Sequence, residues 1–224
     1  PSADSDTIAR LMALYRAKDP ALANVLQSAA MANGVATEAG AMSGPGMGAQ
    51  NAYQTVAPLA KAAAGFLKQP DGPVAAVIEI SGWDTHTNQG LDQGALARNL
   101  AALDQGLAAL KQELGPLWKS TAVLIATEFG RTVAMNGGGG TDHGTAAAAF
   151  LIGGAVKGGR SLSDWPGLGA AQLYEARDLK PTTDIRAVIK GVLRDHLGVP
   201  EGALGESVFP GSIGVKPIDG LMNA

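Results

Sequence analysis

The sequence predicts an α/β fold in which a mostly parallel β-sheet is buried beneath covering helices. Three observations predict it. Short apolar runs, "VAAVIEI" (Val74–Ile80), "TAVLIAT" (Thr121–Thr127) and the run Ala147–Ile152, sit between turn residues and have the length of strands buried on both faces. A long helical pattern, Leu91–Trp118, separates the first two runs. Strand, long helix and strand in that order imply a right-handed crossover, and hence a helix-covered sheet.

Each element has its own signal. Residues 4–33 read as helix, capped by Asp4 or Ser5, with Ile8, Leu11, Met12, Leu14 and Tyr15 at helical spacing. Pro20 divides that stretch in two, because a proline inside a helix loses a hydrogen bond and clashes with the preceding turn. "GAMSGPGMG", Gly40 to Gly48, is a connector, and a helix of about Asn51 to Lys68 follows it. In Leu91–Trp118 one side carries Leu96, Leu100, Leu103, Leu107 and Leu110. "TTDIRAVIKGVLRDHL", residues 182–197, forms a late helix capped by Thr182 or Thr183 and stopped by Gly198. Length favours a single domain overall, read as an N-terminal helical segment (residues 1–70) packing on an α/β core (residues 71–224).

Composition removes several function classes. Aromatics are only 4% of the 224 residues, too few for a base-stacking surface. The 17 basic and 20 acidic residues leave a net charge of −3 with no basic stripe, which argues against nucleic acid. Cysteine is absent, so disulfides, thiolate nucleophiles and Cys-ligated zinc are excluded. No apolar run approaches the ~20 residues of a membrane span, and no signal peptide is seen. The chain begins at Pro1 rather than Met, so residues are expected ahead of it.

Three polar clusters stand where strands should end: "GWDTH" with Asp84 and His86, "TEFGR" with Glu128 and Arg131, and "GGGGTDHG" with Asp142 and His143. Open α/β sheets bind ligands outside the carboxyl ends of their strands, so the clusters are expected to meet there. If the chain stays extended past Ile80, Asp84 and His86 point the same way and can grip one ion. Carboxylate with imidazole suits zinc, and also manganese or iron. His143, with Asp142, can close the ligand set. Glu128 can hold a second ion or orient a ligand histidine, and Arg131 can clamp a tetrahedral oxyanion with its planar fork.

Each residue also has a plainer role open to it. Asp84 can be a turn residue, His86 and His143 polar loop residues, and Glu128 and Arg131 an ion pair. The glycine run 137–140 lacks the Lys and Ser/Thr of a phosphate-binding loop. His196, near a helix end, reads as structural.

At these residues the sequence resembles a known family. "GWDTHTNQ", "TEFGRT", "GTDHGTAAAAFLIGGAVKGG", "RDLKPTTDIRAVIKGVL" and "VFPGS" are similar to the DUF1501 family, related to the alkaline phosphatase and sulfatase superfamily. The resemblance runs from about Val74 to Gly211. It implies a three-layer αβα sandwich, alkaline-phosphatase-like, with metal ligands at the carboxyl edge of the sheet, and export to the periplasm. Asp84 and His86 resemble the pair that begins the superfamily's first metal site, and His143 the histidine that completes it. Glu128 falls where the superfamily has the Asp of an Asp-His pair, with Phe129 at the histidine position. Asp142-His143 is the competing placement of that pair.

The departures point the other way. Nothing in residues 1–73 supplies the strand-end Asp or the nucleophilic Ser, Thr or modified Cys of the superfamily, so the N-terminal part of that fold is expected to be lacking. Phe129 cannot ligate a metal. The leading expectation is a hydrolase of small phosphate or sulfate esters that depends on a divalent metal, zinc first, with manganese or iron also open. The alternatives are an exported scaffold or binding protein that keeps the fold, and a small-molecule binder without metal.

Overall fold

The computed structural model describes residues 5–20, 23, 27 and 52–223. It divides into two compact units, Pro1–Gly82 with Asn99–Glu113, and Trp83–Arg98 with Leu114–Ala224.

The described elements of the first unit are helices. Helix α1, Ser5–Lys18, turns Ile8, Leu11, Met12 and Tyr15 partly inward and places Arg16 and Lys18 at its carboxyl end, where the dipole favours cations. Leu14, expected on the same face, is 54% exposed. Helix α2, Ala52–Leu67, buries Val56, Ala60, Ala63 and Ala64, the spacing of a single helical face. Helix α3, Ala95–Leu114, buries Asn99, Ala102, Gly106 and Leu110 in this unit. Leu100, read with the apolar side, is 48% exposed, so the buried seam is made of smaller residues than the leucine pattern implied. A methyl group on Gly106 would overlap the Val56 side chain, so here two helices approach as closely as a missing Cβ allows. Asn99, 4% exposed, donates Nδ2 to the Gly82 carbonyl at 2.7 Å and so avoids a stranded buried amide. The first helix ends at Lys18, beside the break expected at Pro20, and the expected connector Gly40–Gly48 lies outside the described residues.

Val74–Ile80 does not form a strand. Its Val74 and Val77 are 85% and 98% exposed, and no strand pairs with it among the described residues. An apolar run records a tendency to be buried, whereas a strand also needs a neighbour for its backbone groups.

The second unit holds two short sheets, each of two antiparallel strands. In the first, β1 (Val123–Ile125) pairs with β4 (Phe150–Ile152) in the register Val123↔Ile152 and Ile125↔Phe150. In the second, β2 (Gly130–Arg131) pairs with β3 (His143–Gly144), setting Arg131 opposite His143. The expected α/β class, with a three-layer αβα sandwich around a mostly parallel sheet, is therefore wrong for the described residues. The cause is the connection. Parallel neighbours need a crossover, usually a helix. The segment between β1 and β4 contains no helix and folds back as the β2–β3 pair, which returns the chain antiparallel. The long helix does precede β1, but the strand meant to precede that helix is not there.

After β4 the chain reaches α4, Ile185–Leu197. Its N-cap is Asp184 rather than Thr182 or Thr183: the Asp184 carboxylate accepts from Arg186 N at 2.9 Å. Gly198 ends the helix in the left-handed region at φ 66°, as the sequence predicts. Lys190 on α4 is 2% exposed and donates Nζ to the carbonyls of Ser212 (2.6 Å) and Val215 (2.9 Å), which ties the tail to the helix. No helix among the described residues is long and apolar enough to cross a membrane.

Gly106→Leu should destabilise the first unit by about 1–3 kcal/mol through overpacking against Val56, and Val56→Ala should recover part of that loss. Urea unfolding of the two single variants and the double variant measures the coupling.

Candidate metal centre

Asp84 and His86 leave an irregular segment that tightens locally: Thr85 N bonds the Trp83 carbonyl at 2.9 Å and His86 N the Asp84 carbonyl at 3.2 Å. The chain does not stay extended here, yet both side chains reach the same point. His143 comes from β3, held opposite Arg131 by the ladder. The result is a nearly regular triangle. Asp84 Oδ1 lies 3.1 Å from His86 Nε2 and 3.0 Å from His143 Nε2, and the two Nε2 atoms are 3.1 Å apart.

That triangle fits a metal face. Bonds of ~2.0–2.1 Å put neighbouring ligand atoms ~3.4 Å apart in a tetrahedron and ~2.9 Å apart in an octahedron. The observed edges fall between. His86 Nδ1 faces Asp142 Oδ1 at 3.4 Å, which favours a proton on Nδ1 and leaves the Nε2 lone pair aimed into the triangle. The three side chains are 51%, 44% and 56% exposed in the order Asp84, His86, His143, so solutes can reach the centre.

The other predicted residues fall into different positions. Asp142 stands behind His86 on its Nδ1 side rather than at the triangle. Arg131 donates Nη1 to Asp84, Nη2 to the Thr141 carbonyl, and Nε to Thr141 Oγ1 at 3.0 Å. It thus holds the Asp84 carboxylate in place and does not pair with Glu128. Glu128 is exposed, makes no hydrogen bond or ion pair among the described residues, and is not brought into the cluster. Phe129 lies over the His143 ring at 4.4 Å between centroids and limits its rotation.

The glycine loop is folded against the site. Asn136 donates Nδ2 to Asp142 Oδ1 (2.8 Å) and to the His86 carbonyl (3.0 Å), while its Oδ1 accepts from Gly138 N (2.9 Å) and Gly140 N (3.1 Å). A Cβ on Gly140 would overlap the carbonyls of Thr85 and His86, so only glycine lets the loop lie this close. Gln89 Oε1 accepts from both Thr85 Oγ1 (2.8 Å) and Thr141 Oγ1 (2.9 Å). Thr132 Oγ1 accepts from Asp142 N at 3.1 Å. The sequence reading missed Asn136, Gln89, Thr132 and Thr141. An Asn directly before a glycine run is a turn signal and could have revealed the first.

Local charge sets the acidities of the two aspartates. Partial desolvation pushes the Asp84 carboxyl up, but hydrogen bonds from His143 and Arg131, with the nearby imidazoles, outweigh it and hold it below its ordinary value. Hydrogen bonds from Asn136 and His86 lower Asp142 against a smaller desolvation effect. A folded-state value below the unfolded one means that the unfolded chain binds protons more readily. The stabilisation from each group is therefore complete above the ordinary carboxylate value of 3.8 and is lost as pH falls through the lower folded value.

A family model described as "Protein of unknown function (DUF1501)" matches residues 3–206. No curated protein and no solved structure matches the chain.

Asp142→Asn should flatten the fall in stability that begins as pH drops below the ordinary carboxylate value of 3.8, relative to the parent chain. Denaturant midpoints measured across that range test it, and parallel curves would contradict the linkage. Gly140→Ala should shift Tm downward, because the loop must leave the Thr85–His86 backbone.

Proposed function

The chain belongs to the DUF1501 family, and on that premise we propose that it is a divalent-metal-dependent hydrolase of small phosphate or sulfate esters, with zinc as the best-suited ion. The observation that carries this reading is the 3.0–3.1 Å triangle of Asp84 Oδ1, His86 Nε2 and His143 Nε2. These three residues would hold the ion. When bound, such an ion supplies Lewis-acid polarisation of an ester oxygen and lowers the pKa of water from 15.7 toward ~7.

The chain's own residues do the rest. Asp142 fixes the tautomer and the plane of the His86 ring, and Asn136 fixes Asp142. Arg131, itself fixed by Thr141, donates to Asp84 Oδ1 and keeps that oxygen at the triangle. The Phe129 ring keeps His143 turned inward. Substrate enters from the exposed side of the centre. The likeness of the motifs to the alkaline phosphatase and sulfatase superfamily supports the ester class. Export to the periplasm belongs to the same proposal and is supported by the family resemblance alone.

A second reading is a non-catalytic scaffold or binding protein that keeps the ion. It is favoured by Glu128, which stands outside the cluster and leaves one candidate centre rather than two among the described residues. Two-metal ester hydrolysis uses one ion for the attacking group and another for the leaving oxygen.

Purified protein should retain stoichiometric zinc by elemental analysis and turn over an aryl phosphate or sulfate. His86→Ala should abolish both. Asp142→Asn should weaken zinc binding by about 10–100-fold without removing it. Tightly held zinc with no turnover across the ester panel would favour the scaffold. Zinc at 100 times its Kd should raise folding stability by about 2.7 kcal/mol, and stability that ignores both zinc and chelator would overturn the metal centre.

A further inference from the structure

Gln89 makes no hydrogen bond to the three triangle side chains among the described residues, yet its amide oxygen joins the two segments that carry them. Oε1 accepts from Thr85 Oγ1 at 2.8 Å and from Thr141 Oγ1 at 2.9 Å. Thr85 stands between Asp84 and His86 in the chain, and Thr141 precedes His143 by one residue, Asp142. Thr141 is 8% exposed, so its hydroxyl needs partners within the protein. It finds two. A guanidinium can only donate, so Thr141 Oγ1 accepts from Arg131 Nε at 3.0 Å and gives its own proton to Gln89. Arg131 Nη1 donates in turn to Asp84 Oδ1. The bonds form a line from Gln89 Oε1 through Thr141 and Arg131 to the ligand oxygen, with each donor matched to an acceptor.

The backbone fixes where Gln89 stands. It lies between Asn88 at φ 48° and Gly90 at φ 74°, both in the left-handed region. Asparagine tolerates that region better than most residues, but it stays there only where surrounding contacts impose it. Here Asn88 N and Gln89 N bond the carbonyls of Gly138 (3.1 Å) and Gly139 (2.9 Å), and Leu96 N bonds the Gln89 carbonyl at 3.2 Å. The glycine loop and the first turn of α3 therefore hold the residue from two sides.

We infer that Gln89 is a positioning residue of the metal centre: its amide oxygen, acting through Thr141 and Arg131, sets the place of Asp84 Oδ1 and the spacing of the two ligand-bearing segments. This inference rests on the metal-dependent reading of the Asp84–His86–His143 triangle. The supports divide by ligand. Asn136 backs His86 through Asp142, and Gln89 backs Asp84 through Thr141 and Arg131. Partners of this kind orient ligands before an ion arrives, and losing one costs metal affinity about 10–100-fold. The position requires an acceptor, because both threonines bring a hydroxyl proton to it.

Zinc affinity, read by competition with a chromophoric chelator, is the measurement, with Tm of the metal-free protein taken on the same samples. Gln89→Met keeps the length but removes the acceptor, and should weaken zinc binding at least ~10-fold. Gln89→Glu keeps acceptor oxygens and should recover most of that loss. Thr141→Val cuts the same line one step nearer to Asp84. Combined with Gln89→Met, it should cost clearly less than the product of the two single losses. Parent zinc affinity with a lowered Tm in Gln89→Met would make Gln89 a structural bridge and overturn the inference, leaving the metal reading intact. So would a Gln89→Glu variant as weak as Gln89→Met, or single losses that simply multiply in the double variant. If Gln89→Met does not fold, Thr141→Val carries the test, and parent zinc affinity there overturns the inference. Parent protein that holds no zinc overturns both readings, and elemental analysis of the parent tells these failures apart.

Discussion

Three electron-rich atoms drawn within 3.0–3.1 Å of one another are the constraint around which the second unit is arranged. Lone pairs from a carboxylate and two imidazoles gather at one point only where protons or a cation lie between them. Arg131 answers part of that demand by donating to Asp84. A divalent ion would answer the remainder, and the residues around the triangle keep its corners from relaxing apart. Asp142 and Phe129 each restrain one ring, and Arg131 restrains the carboxylate.

The backbone needed for this arrangement is unusual in two ways. The strands that present Arg131 and His143 are only two residues long, so the ladder alone is a weak support. Side-chain bonds to main chain take over much of its work. Asn136 gathers two glycine amides, the His86 carbonyl and the Asp142 carboxylate into one knot. Glycine has the largest conformational entropy to lose on ordering. A Gly-rich loop can be held so closely against Thr85 and His86 only because that knot offsets the loss.

The first unit follows a different logic. Among the described residues its buried positions are mostly alanine, with Val56, Leu110 and Gly106 among them, so these positions bury little apolar surface each. Close backbone approach substitutes for side-chain bulk. A core of this kind is sensitive to added volume, since few flexible side chains are present to move aside.

What the sequence by itself determined is what short-range physics controls. Helices near Ser5–Lys18, Ala52–Leu67, Ala95–Leu114 and Ile185–Leu197 were legible because 3.6-residue periodicity and terminal glycines act within a few turns. The runs that hold β1 and β4 were legible as apolar segments, and Asp84, His86 and His143 as residue types able to bind a metal. Family membership was legible in the ordered motifs. Strand direction, and the failure of Val74–Ile80 to become a strand, were decided only in three dimensions, because a ladder depends on a partner far away in the chain. The same holds for the placement of Asp142 behind His86, the exclusion of Glu128, and the roles of Asn136 and Gln89. A hydrogen bond between residues some 50 positions apart leaves no spacing to read, so the tertiary structure alone could assign it.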